Sequence, residues 1–311
     1  MINLGRLRVL QEVVARGSFS AAADALSYTQ SAVSQSVARL EEELGTALVV
    51  RDRRRVRPTA AGATLLDHVE TIFAQVRAAE EDVAAVLGVR GGHLRVASFP
   101  SAGSTLMPDA IASFRSHHPG VRLSMVEGEP EDVAPRLRAG EFDLALLYVF
   151  PGVDDTIVRG LRWRPLLEDP MDVVLPAEHE LASKPDLGLR DLRAEEWVQT
   201  AASSPCAQHV VRSCVAAGFD PQVSFESDDY ETVQGLVAAG VGVALIPRLA
   251  LARIHDGIVV RALTPASPMR RVVAATIDAP GVAPSSDAMV EILASIAAEY
   301  VDMRGSGPAA A

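Results

Sequence analysis

The sequence predicts an α+β multidomain protein with an N-terminal winged helix-turn-helix, a long linker helix and a C-terminal two-lobed α/β domain. Two short helical patterns around a three-residue turn, followed by an arginine-rich hairpin, predict the first part. A heptad repeat predicts the second part. Strand and helix patterns then alternate, which is typical of α/β folds. The 311 residues are also too many for one ordinary core.

Charge is distributed unevenly along the chain, although the net charge is −11. Residues 1–58 contain nine arginines and six acidic residues, so this segment is basic and the remainder is strongly acidic. A basic head attracts phosphate at one end of the chain, and the acidic total therefore does not exclude nucleic acid. The sequence has no run of eighteen apolar residues and no secretory signal, so we expect a cytoplasmic protein without a membrane partner.

The first sixty residues predict three helices. Apolar residues at helical spacing indicate a helix over 3–15, which Gly17 ends, and a second short helix over 20–26. Thr29 can cap a third helix over 30–44. Two helices around a three-residue turn form a helix-turn-helix, whose second helix enters the major groove of DNA.

Polar side chains on the third helix are the predicted base-reading residues. Glutamine can form two hydrogen bonds with adenine, serine can bond to bases or phosphates, and arginine suits phosphate. The predicted DNA-binding residues of this helix are Gln30, Ser31, Ser34, Gln35 and Arg39. The segment 48–59 reads as a β-hairpin wing and adds Arg51, Arg53, Arg54 and Arg55. An arginine run alone is more often a solvated loop, but the preceding helix-turn-helix favours the wing.

Motifs across this segment resemble the DNA-binding segment of LysR-type transcriptional regulators. They are Ser18-Phe19-Ser20-Ala21-Ala22-Ala23, Gln30-Ser31-Ala32-Val33-Ser34-Gln35, Leu40-Glu41, Leu44-Gly45, Arg51 and Thr59-Ala60-Ala61-Gly62. Val49 and Pro58 depart from the family pattern of Phe and Leu, and both positions concern wing packing. The resemblance implies a transcriptional regulator with promoter DNA, a small-molecule effector, further copies of the chain and RNA polymerase as partners. It implies no enzymatic activity and no cofactor.

Residues 60–90 predict a linker helix that pairs with a second copy. Apolar residues alternate by four and three along it, and the dimerisation seam consists of Leu65, Val69, Ile72, Val76 and Val83. Burial of one such side chain contributes roughly 1.5–3 kcal/mol, which favours a dimer or tetramer over a lone exposed helix. The alternative is that the helix packs against the chain's own body.

The remaining residues predict a sensor domain of two α/β lobes. The expected boundaries are 1–59 for the DNA-binding domain, 60–90 for the linker, 91–303 for the sensor and 304–311 for a flexible tail. Lobe I spans about 91–164 and 266–303, and lobe II about 165–265. The family resemblance implies a periplasmic-binding-protein-like fold, which binds its ligand between the lobes at the carboxyl ends of the strands.

Hydroxyl groups before two predicted helices, one near 104–117 and one near 206–217, indicate an anion site in this cleft. Helix N-termini offer unpaired N–H groups, so we expect an organic or aromatic acid as effector. The predicted effector-binding residues are Ser98, Phe99, Pro100, Ser101, Glu127, Tyr148, Thr200, Ser203, Ser204 and Asp228. Each hydroxyl can instead be a helix cap. Acidic residues near the same region, Glu129 among them, can instead select an amine or an amino acid.

Other functional classes find less support in the sequence. An enzyme needs a nucleophile–base pair or a cofactor motif, a solute-binding protein needs a secretory signal, and no histidine or cysteine spacing indicates zinc. An adaptor that only dimerises does not need an arginine wing. Cys206 and Cys214 lie where the peroxide-sensing branch of the family has a disulfide-forming pair, with a spacing one residue shorter. On one continuous helix they are about 12 Å apart, beyond the reach of a disulfide.

Overall fold

The structure is a computed structural model that describes residues 2–51, 55–86, 92–150, 155–278 and 284–305. These residues form two compact units. The N-terminal unit holds the described residues up to Val86 together with the segment Pro135–Phe142. The larger unit holds the other described residues from Gly92 onward. No helix among the described residues is both long enough and apolar enough to cross a bilayer.

The N-terminal unit contains the predicted winged helix-turn-helix. Its elements are α1 (Leu4–Arg16), α2 (Phe19–Leu26), α3 (Gln30–Leu44), β1 (Val49–Arg51), β2 (Val56–Pro58) and α4 (Ala60–Val86). Thr29 caps α3 as predicted, since its Oγ1 accepts a hydrogen bond from the N–H of Ala32 at 3.2 Å. Gly17 ends α1 in the left-handed conformation with φ of 63°. The boundaries of these three helices agree with the sequence pattern to within one residue.

The wing is an antiparallel hairpin of β1 and β2, and two contacts hold it against the helices. The carboxylate of Glu41 on α3 accepts hydrogen bonds from the N–H groups of Leu48 and Val49 at 2.8 and 3.2 Å. The N–H of Val56 donates to the carbonyl of Gly17 at 2.8 Å. Arg53 and Arg54, two of the predicted DNA-binding residues, lie outside the described residues.

The first half of the linker helix α4 packs against its own N-terminal unit. Val69 is fully buried in the core of this unit, and Leu65 and Ile72 are partly buried against the same core. Val69 was predicted to lie on the dimerisation seam; this is wrong for the side chain, because the chain's own core already covers it. Val83 lies in the part of α4 whose side chains the structure does not describe.

The larger unit contains the alternating strands and helices. Its elements are β3 (His93–Ser98), α5 (Pro100–Thr105), α6 (Met107–His117), β4 (Arg122–Glu127), α7 (Pro130–Arg138, at the edge of the unit), β5 (Leu144–Val149), β6 (Leu161–Pro176), β7 (Glu196–Gln199), α8 (Pro205–Ala216), β8 (Gln222–Glu226), α9 (Tyr230–Ala238), β9 (Ala244–Pro247), β10 (Ile258–Arg261), β11 (Met269–Ile277) and α10 (Pro284–Gly305).

Strand pairing defines the two lobes, which share the long strand β6. In lobe I the order is β4-β3-β5-β11-β6, with β4, β3 and β5 parallel and β11 antiparallel to β5 and β6. In lobe II, β9 and β10 pair antiparallel with the second half of β6, and β7 pairs parallel with β8. A single bridge between Trp197 and Val243 connects β7 to β9. Both lobes are therefore mixed rather than purely parallel.

Four predicted boundaries need correction. The predicted helix over 104–117 is two helices, α5 and α6, because Pro108 near the start of α6 cannot donate a hydrogen bond to the preceding turn. The predicted strand over 171–175 is only the second half of β6, whose first half contains two prolines that argue against a strand. Pairing of β6 changes from β11 to β9 between Pro170 and Met171, later than the expected lobe boundary at 164–165. Helix α10 continues to Gly305, into the expected tail.

Candidate functional site

The N-terminal part of α3 presents an exposed polar surface. Gln30, Ser31 and Gln35 are exposed, and Ser34 is half-buried. Arg39 is exposed about one turn beyond Gln35 on α3. The Gln30 Oε1 accepts a hydrogen bond from the hydroxyl of Ser20 on α2 at 3.3 Å. This contact orients the Gln30 amide relative to the first helix of the motif.

Several arginines of the head are available for phosphate. Arg6 and Arg16 form ion pairs with Glu43 and Glu12. Within the described part of the head, Arg39, Arg55 and Arg57 are exposed and have no ion-pair partner. Arg57, on strand β2, was not among the predicted DNA-binding residues. Arg51 belongs to β1, and the structure does not describe its side chain. Unpaired arginines beside a recognition helix suit the phosphates on either side of a groove.

A cavity of about 210 Å³ lies between the two lobes of the larger unit. The segments that line it follow the carboxyl ends of β3 and β4 in lobe I and of β7 and β8 in lobe II. This is where ligands bind in open α/β sheets. Eight of the predicted effector-binding residues line the cavity: Phe99, Pro100, Ser101, Tyr148, Thr200, Ser203, Ser204 and Asp228.

Two predicted residues do not line this cavity. Ser98 is fully buried, and its hydroxyl donates to the carbonyl of Phe99 at 3.2 Å. Glu127 lies instead beside a second cavity of about 380 Å³, which shares Pro100, Ser101, Asp228 and Tyr230 with the first. The prediction that Ser98 contacts a ligand in the inter-lobe cavity is therefore wrong for this structure, because its side chain is fully buried and does not line the cavity.

The floor of the cavity is formed by Arg270 of β11, which the sequence analysis did not identify. Arg270 is 2% exposed, and its Nε donates to Oδ2 of the buried Asp169 at 2.9 Å. Its Nη2 donates to the hydroxyl of Ser101 at 2.6 Å, and its guanidinium lies 4.8 Å from the ring centroid of Phe99. Burial opposes a higher pKa for Arg270, but the charge of Asp169 together with the nearby Cys206, Tyr230 and Tyr148 outweighs it, so the pKa is raised and the group stays charged.

Four carboxyl groups line the same cavity: Glu129, Glu131, Asp132 and Asp228. Tyr148 donates its hydroxyl to Glu129 Oε2 at 2.8 Å. Burial raises the pKa of Glu129 despite this hydrogen bond and the nearby Arg270. Burial also raises the pKa of Glu131, and the carboxylates of Glu129 and Asp132 add to the rise. The lining is therefore crowded with carboxylates that lack a matching number of cations.

The start of α8 is capped by the chain itself. The hydroxyl of Ser204 accepts from the N–H of Ala207 at 3.1 Å and lies 2.6 Å from the hydroxyl of Thr200. The N–H of Ala201 donates to Asp228 Oδ1 at 3.0 Å, and that of Ala202 to Glu226 Oε2 at 3.4 Å. Ser204 thus serves as the helix cap that the sequence analysis gave as its alternative role.

The two cysteines lie on α8, which is continuous from Pro205 to Ala216. Both thiols are buried, and Cys206 lines the inter-lobe cavity 3.7 Å from Nη1 of Arg270. Burial raises the pKa of Cys206 and raises that of Cys214 to about 12. Protonated thiols react slowly with oxidants, and two cysteines eight residues apart on an intact helix do not reach each other.

A metal centre is not indicated in the part of the chain that the structure describes, where no group of three or more suitable side chains lies close together.

Family models match most of the chain. Residues 4–63 match the bacterial regulatory helix-turn-helix protein of the lysR family, and residues 88–297 match the LysR substrate binding domain. LrrA of Synechococcus elongatus, described as a probable HTH-type transcriptional regulator, is 33% identical over 300 residues that cover 96% of this chain and 98% of that protein. GltC of Bacillus subtilis, a transcriptional dual regulator, is 30% identical over 246 residues, which cover 79% of this chain and 81% of GltC.

A solved structure shares the fold over nearly the whole length. A full-length OxyR from Pseudomonas aeruginosa with a cysteine-to-aspartate substitution aligns with a TM-score of 0.69. Its sequence is 24% identical, and the alignment covers 96% of this chain and 95% of that chain. At this identity the similarity supports the architecture of both units and carries no assignment of ligand.

Proposed function

Because the chain belongs to the LysR family of bacterial transcriptional regulators, we propose that it binds specific promoter sequences as an oligomer and that a small molecule in the inter-lobe cavity changes this binding. The chain is a DNA-binding regulator with an effector-binding domain and not an enzyme. A cytoplasmic location and a contact with RNA polymerase belong to the same proposal. The main support for sequence-specific binding is the exposed row of Gln30, Ser31 and Gln35 at the start of α3.

This row supports base recognition because it has the position and chemistry that a recognition helix needs. The N-terminal residues of such a helix reach base edges in the major groove, and amide side chains read adenine through two hydrogen bonds. Arg39 and Arg55 supply the phosphate contacts that set orientation but not sequence preference.

Selection of binding sites from random duplexes tests the two roles separately. The Gln30→Ala variant is expected to select a motif with one relaxed base position, because a bidentate contact discriminates by about 1–3 kcal/mol. The Arg55→Ala variant is expected to keep the motif and to lower the slope of log affinity against log salt by about one.

Arg212→Ala is the matched control, since Arg212 is an exposed arginine of the larger unit. We expect it to leave both the motif and the salt slope unchanged. An unchanged motif for Gln30→Ala, or equal losses on selected and random DNA, would contradict the groove assignment.

The coupling of ligand to DNA has a thermodynamic consequence. If the ligand changes DNA affinity by some factor, DNA must change ligand affinity by the same factor. In this proposal, the two lobes close on the ligand, and this closure changes the distance between the DNA-binding domains of paired chains. A ligand that saturates the cavity but leaves DNA affinity and the footprint unchanged would remove this part of the proposal.

An organic or aromatic acid is the effector class that the sequence predicts, and it stays a prediction. The features that support an anionic group are the guanidinium of Arg270 and the hydroxyls of Ser101, Thr200 and Ser204 in the cavity lining. Thermal unfolding with benzoate and succinate is the direct measurement: a raised Tm would support an acid effector, and an unchanged Tm would count against it.

A further inference from the structure

The charge of the inter-lobe cavity is negative. Among the described residues that line it, Arg270 is the only cation, and it is already bonded to the buried Asp169, so this pair contributes little net charge. The four lining carboxyl groups have no such partner cation among the lining residues. A ligand that enters therefore meets an electrostatic field that attracts positive charge.

Several polar groups near the two predicted helix N-termini are already engaged within the protein. In lobe II, the N–H groups of Ala201 and Ala202 are bonded to the carboxylates of Asp228 and Glu226. In lobe I, α5 begins with Pro100, which has no N–H, and the Ser101 hydroxyl accepts from Arg270. An acid effector would have to displace these carboxylates or lie beside them.

The carboxyl groups also disfavour one another's ionisation. Burial raises the pKa of Glu129 despite the hydrogen bond from Tyr148 and the charge of Arg270, and the charges of Asp228 and Glu127 add smaller contributions to the rise. A cation placed among these groups would relieve both their desolvation and their mutual repulsion. Binding of a cation thus gains free energy that binding of an acid does not.

The second cavity is also lined by an excess of carboxylates, so its electrostatic field has the same negative sign. It shares Pro100, Ser101, Asp228 and Tyr230 with the first and adds Glu127, Asp229 and Glu231, and Arg253 is the one arginine among the described residues that line it. A ligand with positive groups at both ends can therefore meet carboxylates along the whole cleft.

We propose that the cleft between the lobes takes a small organic cation with primary amino groups, of the size of a short diamine. The proposal rests on the proposed function, because it names the ligand class of the same cavity. The volume of about 210 Å³ is many times what a single water needs, roughly 10–15 Å³ by this measure, which leaves room for a short aliphatic chain. The described residues contain no cluster arranged to hold a metal ion, so an organic cation fits the lining better than a bare divalent one.

Isothermal titration calorimetry on the full chain tests the ligand class. The probes are 1,4-diaminobutane, 1,5-diaminopentane and agmatine, with 1,4-butanediol and succinate as neutral and anionic controls of similar length. We expect saturable binding of at least one amine with Kd below about 1 mM, and no binding of the diol or of succinate. Binding of succinate in preference to the amines overturns the proposal, as does the failure of all three amines. An equal effect of Mg²⁺ alone also overturns it.

Charge-neutral variants locate the binding. Glu129→Gln keeps an oxygen that accepts from Tyr148 and removes the negative charge, and we expect it to raise the Kd of the bound amine about tenfold or more. Asp132→Asn is expected to raise it in the same direction. Glu178→Gln removes the same charge from an exposed position of lobe II that lines neither cavity, and should leave the Kd unchanged. Equal Kd values for Glu129→Gln, Asp132→Asn and Glu178→Gln would place the amine elsewhere and overturn the proposal.

The DNA measurements keep the two proposals distinguishable. A chain that selects a DNA motif but binds no amine refutes the ligand class and leaves the regulator intact. A chain that ignores DNA at low salt refutes the proposed function, whatever the calorimetry gives.

Discussion

Arg270 and Glu129 line the same cavity, but neighbouring groups compensate the charge of Arg270 more fully than that of Glu129. Arg270 is bonded to Asp169 and Ser101 and lies over two aromatic rings, so its charge is compensated. Glu129 has one hydrogen bond, from Tyr148, and burial raises its pKa. A carboxylate that is partly buried without a full set of partners reduces stability, which is common at binding sites.

Glu129→Gln is expected to stabilise the protein in a pH-dependent way. A raised carboxyl pKa means that the folded state holds the proton more tightly than the unfolded state, so wild-type stability falls as the pH rises through the folded pKa. The glutamine variant does not titrate there. We expect its Tm to exceed that of the wild type by about 2–4 °C at pH 8, the shift that roughly 1 kcal/mol produces in a domain of this size.

The difference in Tm should be smaller at pH 5.5, where more of the wild-type carboxyl is protonated. Scanning calorimetry of both proteins at the two pH values checks this, with Glu178→Gln as the exposed control. A variant that is less stable than the wild type at pH 8 would contradict the expected cost of the Glu129 charge.

At the scale of elements, the junction between the wing and α4 depends on a close backbone approach. A Cβ on Gly62 would lie 2.0 Å from the carbonyl oxygen of Leu48. The same carbonyl accepts from the N–H of Thr59 at 2.9 Å, and the Thr59 hydroxyl caps α4 at the N–H of Gly62. Because the added Cβ would clash with backbone atoms of Leu48, no change of side-chain rotamer can make room for it.

Gly62→Ala is therefore expected to destabilise the N-terminal unit by roughly 3 kcal/mol and to weaken DNA binding in parallel. Urea unfolding of the variant measures the loss. Gly235→Ala in α9 is the matched control, because nothing lies within 4 Å of its added Cβ. The control should be neutral or up to about 1 kcal/mol more stable, as for Gly-to-Ala changes in a helix. Similar stabilities for the two variants would contradict the close approach.

At the scale of the whole molecule, α4 has two sets of apolar side chains with different partners. Val69 is used by the core of the N-terminal unit, and Leu65 and Ile72 pack partly on that core. Val76 is half-buried within one chain and belongs to the predicted seam. We expect the half of α4 that follows Ile72 to supply most of the contact between copies.

Val76→Glu is expected to weaken self-association at least tenfold, because a carboxylate would be buried in an apolar seam without a partner. Sedimentation velocity across micromolar concentrations measures it. Thr71→Glu adds the same charge at an exposed position of α4 and should leave the association unchanged. If Val76→Glu associates as tightly as Thr71→Glu, the seam is not where the copies meet.

The sequence by itself determined the elements whose signals are local. Thr29, Gly17 and the apolar spacing specify the helices of the head, since caps and one-sided burial involve residues only a few positions apart. Eight cavity residues followed in the same way from the ends of predicted strands.

Only the tertiary structure decided which polar groups of the cavity are already bonded to other parts of the chain. Arg270 meets Asp169 from 101 residues away and Ser101 from 169, and Asp228 reaches the loop before α8 from the next strand. Pairings of this range leave no periodicity in the chain, yet they set the charge of the cavity.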